Sequence, residues 1–241
     1  DPDVVPWAIS IAGALAAVAI VIAVRPDPRD LAHAEEDVPG STTTPLRTER
    51  ELIGVPAFRG AVIAVAVSQM AMVGVMGVTP NALTHLGHGG DVPLVISLHI
   101  AGMFAFAPLV GWLLDRWGRR AGLILGLGLT AAGALIAASQ ISSRVIGGGL
   151  LVIGLGWSAT YLAVTAVISD VTHADERAGA LGFTDLLVLA CSAAAALIGG
   201  LILEVAGYGS LGVAAAILAT LGLLIVAGIR MPRPTPVAAR S

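Results

Sequence analysis

The chain consists of long apolar stretches separated by short polar or charged segments. Seven of these stretches are long enough to form a helix across the hydrocarbon core of a bilayer, which requires about 20 apolar residues. Their predicted bounds are 4–24, 58–84, 92–114, 121–138, 145–169, 180–203 and 209–229. The pattern therefore predicts an all-α integral membrane protein with seven transmembrane helices.

One gap between the apolar stretches differs from the others. Residues 25–57 form a long segment rich in Pro, Thr and acidic residues, a composition typical of a flexible linker. We therefore predict one transmembrane helix (1–24), a cytoplasmic linker (25–57), a compact unit of six helices (58–229) and a cytoplasmic tail (230–241).

The composition agrees with a membrane protein. Hydrophobic residues make up 56% of the chain and charged residues 12%, whereas about 25% of the residues of a soluble domain are charged. So little polar surface could not cover a water-soluble globule. The net charge of −3 argues against nucleic acid as a partner, and the single Cys191 excludes an internal disulfide.

The arginines predict the orientation of the helices. The chain has no Lys, and twelve of its thirteen Arg lie in four alternate segments: 25–59, 115–120, 170–179 and 230–241. Only Arg144 lies on the other side. Because cytoplasmic loops carry an excess of positive charge, we expect an external N-terminus, a cytoplasmic C-terminus and a multi-pass location in the cell (plasma or inner) membrane.

A cluster of charge interrupts the apolar pattern at residues 111–120, which read GWLLDRWGRR. This stretch resembles the signature of the major facilitator superfamily. In that family the signature lies on the cytoplasmic side, between the second and third helices of a six-helix half. The matching residues are Gly111, Asp115, Arg116, Gly118, Arg119 and Arg120.

The resemblance implies a secondary active transporter of twelve helices in two halves, which exposes a central site alternately to each side of the membrane. Residues 4–24 then resemble its sixth helix, 25–57 its central cytoplasmic loop and 58–229 its C-terminal half, so we expect the N-terminal half to be a missing partner. The signature implies a conformational latch. In it, Asp115 accepts hydrogen bonds from a facing helix N-terminus, and the arginines also contact anionic lipid. The alternative is a loop that only sets the topology.

Polar residues are concentrated in the second, third, fifth and sixth predicted helices, and we expect these helices to line a cavity. The candidate cavity residues are Ser68, Gln69, His99, Tyr161 and Asp185. His99 and Asp185 are ionisable and could carry a coupling proton. The alternatives are a packing histidine for His99, and a surface cap or an ion pair with Arg177 for Asp185.

The chain has one Asn and two Gln, which is little hydrogen-bonding capacity for a sugar. We therefore expect proton-coupled efflux, by an antiporter, of a small apolar or amphipathic compound, with membrane lipid and the proton as further partners. His85, His88 and Asp91 form an incomplete set of metal ligands, and we expect neither a metal nor a cofactor.

Two other classes of function agree less well with the sequence. A seven-helix receptor or sensor fits the helix count, although a retinal protein needs a lysine that this chain lacks. An intramembrane enzyme is disfavoured because the sequence contains neither an HExxH nor a GxSxG motif.

Overall fold

The computed structural model describes residues 47–229, together with seven isolated helical positions between 11 and 23. Most of the first predicted helix and of the linker, and the tail from residue 230, lie outside the described residues. The seven described helices are α1 (Glu49–Gly54), α2 (Pro56–His85), α3 (Val92–Phe104), α4 (Ala107–Trp117), α5 (Arg119–Ser139), α6 (Ser143–Val171) and α7 (Ala174–Gly228). A short 3₁₀ turn, Gly89–Asp91, precedes α3.

Five stretches within the described residues are long and apolar enough to cross a membrane: Pro56–His85, Gly89–Trp117, Arg119–Ser139, Ser143–Val171 and Asp175–Gly228. The described part of the chain is all-helical, with stretches of the length and composition of membrane spans, so the prediction of an all-α membrane protein is confirmed.

The last stretch is far longer than one crossing needs. The 55 residues of α7 would extend about 80 Å as one straight helix, whereas the hydrocarbon core is about 30 Å thick. Gly207 interrupts α7 with φ 80° and ψ 171°, a conformation that is essentially restricted to glycine. The parts on either side, 174–206 and 208–228, correspond to the sixth and seventh predicted segments.

The third predicted segment, 92–114, differs from the expectation of one continuous helix. The chain leaves the helix at 105–106 and starts α4 at Ala107. Pro108 accounts for this break, because it has no backbone N–H to donate to the Phe104 carbonyl four residues earlier and its ring would clash with that carbonyl. Phe104, the last residue of α3, is 59% exposed.

The end of the predicted linker also differs from a flexible tether, since residues 49–54 form α1. A capping box starts this helix: Glu51 N–H donates to Thr48 Oγ1 (3.4 Å), and Thr48 N–H donates to Glu51 Oε2 (2.6 Å). The hydrogen bond from the Thr48 backbone lowers the pKa of Glu51. Leu52 anchors α1 because its side chain is buried, with 2% of its surface exposed.

The helices enclose two buried apolar clusters. One lies towards the end of the bundle that holds residues 115–120, which we call the signature end, and includes Phe58, Leu123 and Ile168. The other lies towards the opposite end and includes Leu83 and Ile146.

Two glycines let α5 and α6 approach closely beside the second cluster. A Cβ on either Gly133 or Gly149 would lie 2.7 Å from the carbonyl oxygen of the other. Such backbone contact is typical of helix pairs in membranes, where small residues form the interface.

Candidate functional site

A chain of hydrogen bonds joins α6, α2 and α7 near the middle of the spans. Trp157 Nε1–H donates to Gln69 Oε1 (2.6 Å), and Gln69 Nε2–H donates to Ser192 Oγ (3.0 Å). The Ser192 hydroxyl in turn donates to the Val188 carbonyl (2.8 Å). Since polar groups inside a membrane need partners, this chain fixes the Gln69 amide and the indole of Trp157 in one orientation.

Three aromatic rings form a row that begins at Trp157, the first residue of this series of hydrogen bonds. Trp157 and Tyr161 are stacked, with ring centroids 5.0 Å apart and an interplanar angle of 13°. Phe104 meets Trp157 edge-on at 6.0 Å and 69°. Phe104 and Tyr161 are 59% and 37% exposed, so the row is open along one side.

We call Gln69, Phe104, Trp157, Tyr161 and Ser192 the midspan cluster. Its residues come from α2, α6 and α7, which contain the second, fifth and sixth predicted segments, and from α3, which forms the first part of the third. The sequence analysis named Gln69 and Tyr161 as candidates, but not Trp157 or Phe104. The spacing of Trp157 and Tyr161, four residues apart on one helix, was a usable signal because such residues are neighbours on the helix surface.

Ser68 lies next to Gln69 in the sequence but outside the midspan cluster. Its side chain is fully buried, and its Oγ lies 3.4 Å from Thr130 Oγ1 in the packing between α2 and α5.

His99 is also buried, between α3 and α6. Its Nδ1 lies 2.8 Å from the Leu150 carbonyl oxygen. A carbonyl only accepts, so Nδ1 carries the proton and donates it. Nε2 then holds a lone pair, and it has no hydrogen-bond partner within residues 47–229.

Asp185 is exposed on α7, and within the described part of the chain it forms no salt bridge. Arg177, its possible partner, instead donates to the Ser169 carbonyl at 3.2 Å. Neither Asp185 nor His99 belongs to the midspan cluster.

The signature loop turns sharply at Gly118, where φ is 86° and ψ is 161°. Arg119 lies between two carboxylates, since its Nη1 is 3.3 Å from Asp115 Oδ1 and its Nε is 3.3 Å from Asp170 Oδ2. The Asp115 side chain is nevertheless 80% exposed, which leaves it free to accept further hydrogen bonds.

The other signature residues surround this turn. The Arg116 guanidinium lies 5.7 Å from the ring centroid of Trp112, within the range of a cation–π contact. Arg120 donates to the Ala227 carbonyl, close to the negative C-terminal end of α7. No described atom lies within 4 Å of a Cβ added to Gly111, so that face of α4 is open.

A second polar contact at the signature end was not expected from the sequence. Arg47 Nη2 lies 2.6 Å from Glu176 Oε2, Arg47 Nε lies 3.0 Å from Glu176 Oε1, and the Arg47 backbone N–H donates to the same oxygen at 2.9 Å. The hydrogen bond to Glu176 raises the pKa of Arg47. Arg47 Nη2 also donates to the Val171 carbonyl at 2.7 Å. These bonds attach the end of the linker to the turn between α6 and α7.

Comparison with known proteins shows the family to which the chain belongs. Residues 61–241 match the family described as Major Facilitator Superfamily. The chain is 33% identical over 226 residues to the uncharacterized MFS-type transporter YddS of Bacillus subtilis (strain 168), a match that covers 88% of this chain and 50% of the relative. The uncharacterized MFS-type transporter YdeG of the same organism is 34% identical over 222 residues, with 88% and 50% covered.

A further relative is the riboflavin transporter RfnT of Brucella anthropi. It is 31% identical over 159 residues, which cover 66% of this chain and 40% of the relative. The chain thus spans about half the length of the first two relatives. Because the family match extends over most of the chain and includes the signature loop, the chain belongs to the major facilitator superfamily.

Proposed function

We propose that the chain forms the C-terminal part of a secondary active transporter that moves a small organic solute by alternating access. The observation that carries this proposal is the midspan cluster. Four helices bring hydrogen-bonding and aromatic side chains to one partly exposed place in mid-membrane. Transporters of this general kind bind their substrates near the midplane, between two repeats.

In this proposal, residues 58–229 are a six-helix half in which α7 contributes two spans, on either side of Gly207. Residues 4–24 act as the helix before the linker, and the missing N-terminal half covers the open side of the midspan cluster. The arginine asymmetry supports a cytoplasmic location for the signature end in the cell membrane.

We assign the latch function to Asp115. Its exposed carboxylate supports this assignment, since it can accept hydrogen bonds from a helix N-terminus of the other half, a contact worth roughly 0.3–2 kcal/mol. The pairing of Arg119 with both Asp115 and Asp170 holds the loop in position for that contact.

We assign the coupling proton to His99 rather than to Asp185. The unpartnered Nε2 of His99 supports this choice, because it offers a proton acceptor inside the span, whereas Asp185 is exposed on the surface of the described residues. Proton-coupled efflux of a small apolar or amphipathic compound, without chemical change, fits the uncharged midspan cluster. The name of the riboflavin transporter relative supports a small organic solute.

The test is solute flux through the intact transporter that contains this chain, reconstituted in proteoliposomes under an imposed pH gradient. Asp115→Asn should lower turnover while expression and melting temperature stay close to the wild-type values. Asp175→Asn is the matched control, since it makes the same chemical change at an exposed site in the first turn of α7.

Asp170→Asn separates the latch from the positioning of Arg119, because it removes the other carboxylate that Arg119 contacts. Its effect should be smaller than that of Asp115→Asn. Unchanged flux in Asp115→Asn would discard the latch, and the absence of any gradient-driven flux in the wild type would discard transport.

A further inference from the structure

The midspan cluster has a shape that selects one class of ligand. Tyr161 places one face of its ring on Trp157, with the planes inclined by 13°. Tyr161 is 37% exposed, and the stack on Trp157 occupies one ring face, so our proposal places the ligand on the other face. A flat conjugated ring placed on that face would extend the stack, whereas a saturated ring of equal size would touch it only through its edges and axial hydrogens.

The stack is held before any ligand arrives. The hydrogen bond from Trp157 Nε1 to Gln69 fixes the indole plane, and the edge of Phe104 contacts the same indole. Because these side chains are already ordered, a ligand loses little binding energy in immobilising them.

Charge limits the ligand further. None of the five residues of the midspan cluster is a carboxylate, an amine or a guanidinium. A net charge on the bound ring would have no opposite charge in the cluster to compensate its desolvation, which is expensive in an apolar environment. The cluster therefore favours an uncharged ring.

Hydrogen-bonding capacity remains at the edge of the row. The Gln69 amide has two N–H groups and two acceptor lone pairs, and the polar chain uses one of each. The Tyr161 hydroxyl forms no hydrogen bond with another described residue. These groups can bind an amide, carbonyl or ring nitrogen at the rim of a stacked ligand.

We propose that the Tyr161–Trp157 stack, with the Gln69 amide beside it, is a binding platform for uncharged, planar, conjugated ring compounds that carry a hydrogen-bonding group at their edge. This inference rests on the proposed transport function, for which it names the substrate class.

The test uses two labelled probes of similar size and polarity, naphthalene-2-carboxamide and its saturated analogue decahydronaphthalene-2-carboxamide. Equilibrium binding is measured on the intact transporter in lipid nanodiscs, and binding to empty nanodiscs is subtracted. The wild type should prefer the aromatic amide by about two- to tenfold, the factor that an aromatic pair contributes beyond its buried area.

Tyr161→Phe keeps the ring and should keep this preference. Tyr161→Leu keeps an apolar side chain but removes the flat surface, so its preference should fall towards one. A melting curve of each variant shows that it is folded. Equal binding of the two probes to the wild type, no detectable binding of the aromatic amide, or a preference that persists in Tyr161→Leu would overturn the platform.

A failure of the binding platform and a failure of the proposed transport function can be told apart by measuring flux of the same probes in proteoliposomes. Gradient-driven flux without any preference for the aromatic amide would leave transport standing and remove the platform. Selective binding that is lost in Tyr161→Leu, without flux of either probe, would keep the platform and remove transport of this class.

Discussion

A close approach between two helices, at Gly149, gives a sharp prediction because a control glycine lies next to it. A Cβ on Gly149 would lie 2.6 Å from Ala137 N, 2.7 Å from Ala137 Cβ and 2.7 Å from the Gly133 carbonyl oxygen, whereas ordinary contacts begin at 3.4 Å. These neighbours are backbone atoms and a β-carbon, so no rotamer change can relieve the clash. Helices α5 and α6 would have to separate by roughly 0.7 Å at the point where they now interlock.

Overpacking of this kind costs about 1–3 kcal/mol. A Gly→Ala change inside a helix also gains about 0.8–1.0 kcal/mol, so Gly149→Ala should be destabilising by about 0–2 kcal/mol in net free energy of unfolding. Gly148→Ala makes the same chemical change one residue earlier, where no atom lies within 4 Å of the new Cβ. The helix-propensity gain cancels between the two variants, and their difference is the clash alone.

Thermal unfolding of the two variants in lipid nanodiscs measures this difference. At roughly 2–4 °C per kcal/mol for a domain of 150–250 residues, Gly149→Ala should melt at least about 2 °C below Gly148→Ala. Equal melting temperatures would show that α5 and α6 do not touch backbone to backbone at this position, and the packing described for the bundle would then be wrong.

Three further predictions concern the signature end and the coupling proton. Single alanine variants of Arg47 and Glu176 should each lower the melting temperature, and the double variant should lower it little more than either single variant; additive effects would exclude the contact. Gly118→Ala should destabilise the protein by about 1–3 kcal/mol because of its positive φ, whereas Gly111→Ala, on an open helical face, should stabilise it by about 0.8–1.0 kcal/mol through helix propensity in the same melting assay. His99→Gln should abolish the dependence of flux on an imposed pH gradient while solute exchange persists, and an unchanged pH dependence would remove His99 as the proton carrier.

The spans were predictable because apolar length is a strong signal in a chain with so few charges. The break at Gly207 also lies where the sequence predicts one, in the gap between the sixth and seventh predicted segments. Pro108 divides the third predicted segment. This break was harder to predict because a single proline is a weak signal within a long hydrophobic run.

The signature loop could be found from the sequence because its charged residues lie within ten positions of one another. The contact between Arg47 and Glu176 could not, because the two residues are separated by more than a hundred positions and only the fold brings them together. The same holds for Gln69, Trp157 and Ser192, which lie on three helices. The polar character of Gln69 suggested a cavity, but its hydrogen bonds to Trp157 and Ser192 depend on how the helices pack.

The central claim is that the midspan cluster lines a path open alternately to the two sides of the membrane. Its most direct test is a Tyr161→Cys variant of the intact transporter in which Cys191 and any other cysteine are replaced by serine, treated in oriented vesicles with a membrane-impermeant thiol reagent from each side separately. The account predicts labelling of residue 161 from both sides, with the balance between them shifted by an imposed pH gradient. No labelling from either side, or labelling from one side that no gradient changes, would contradict it.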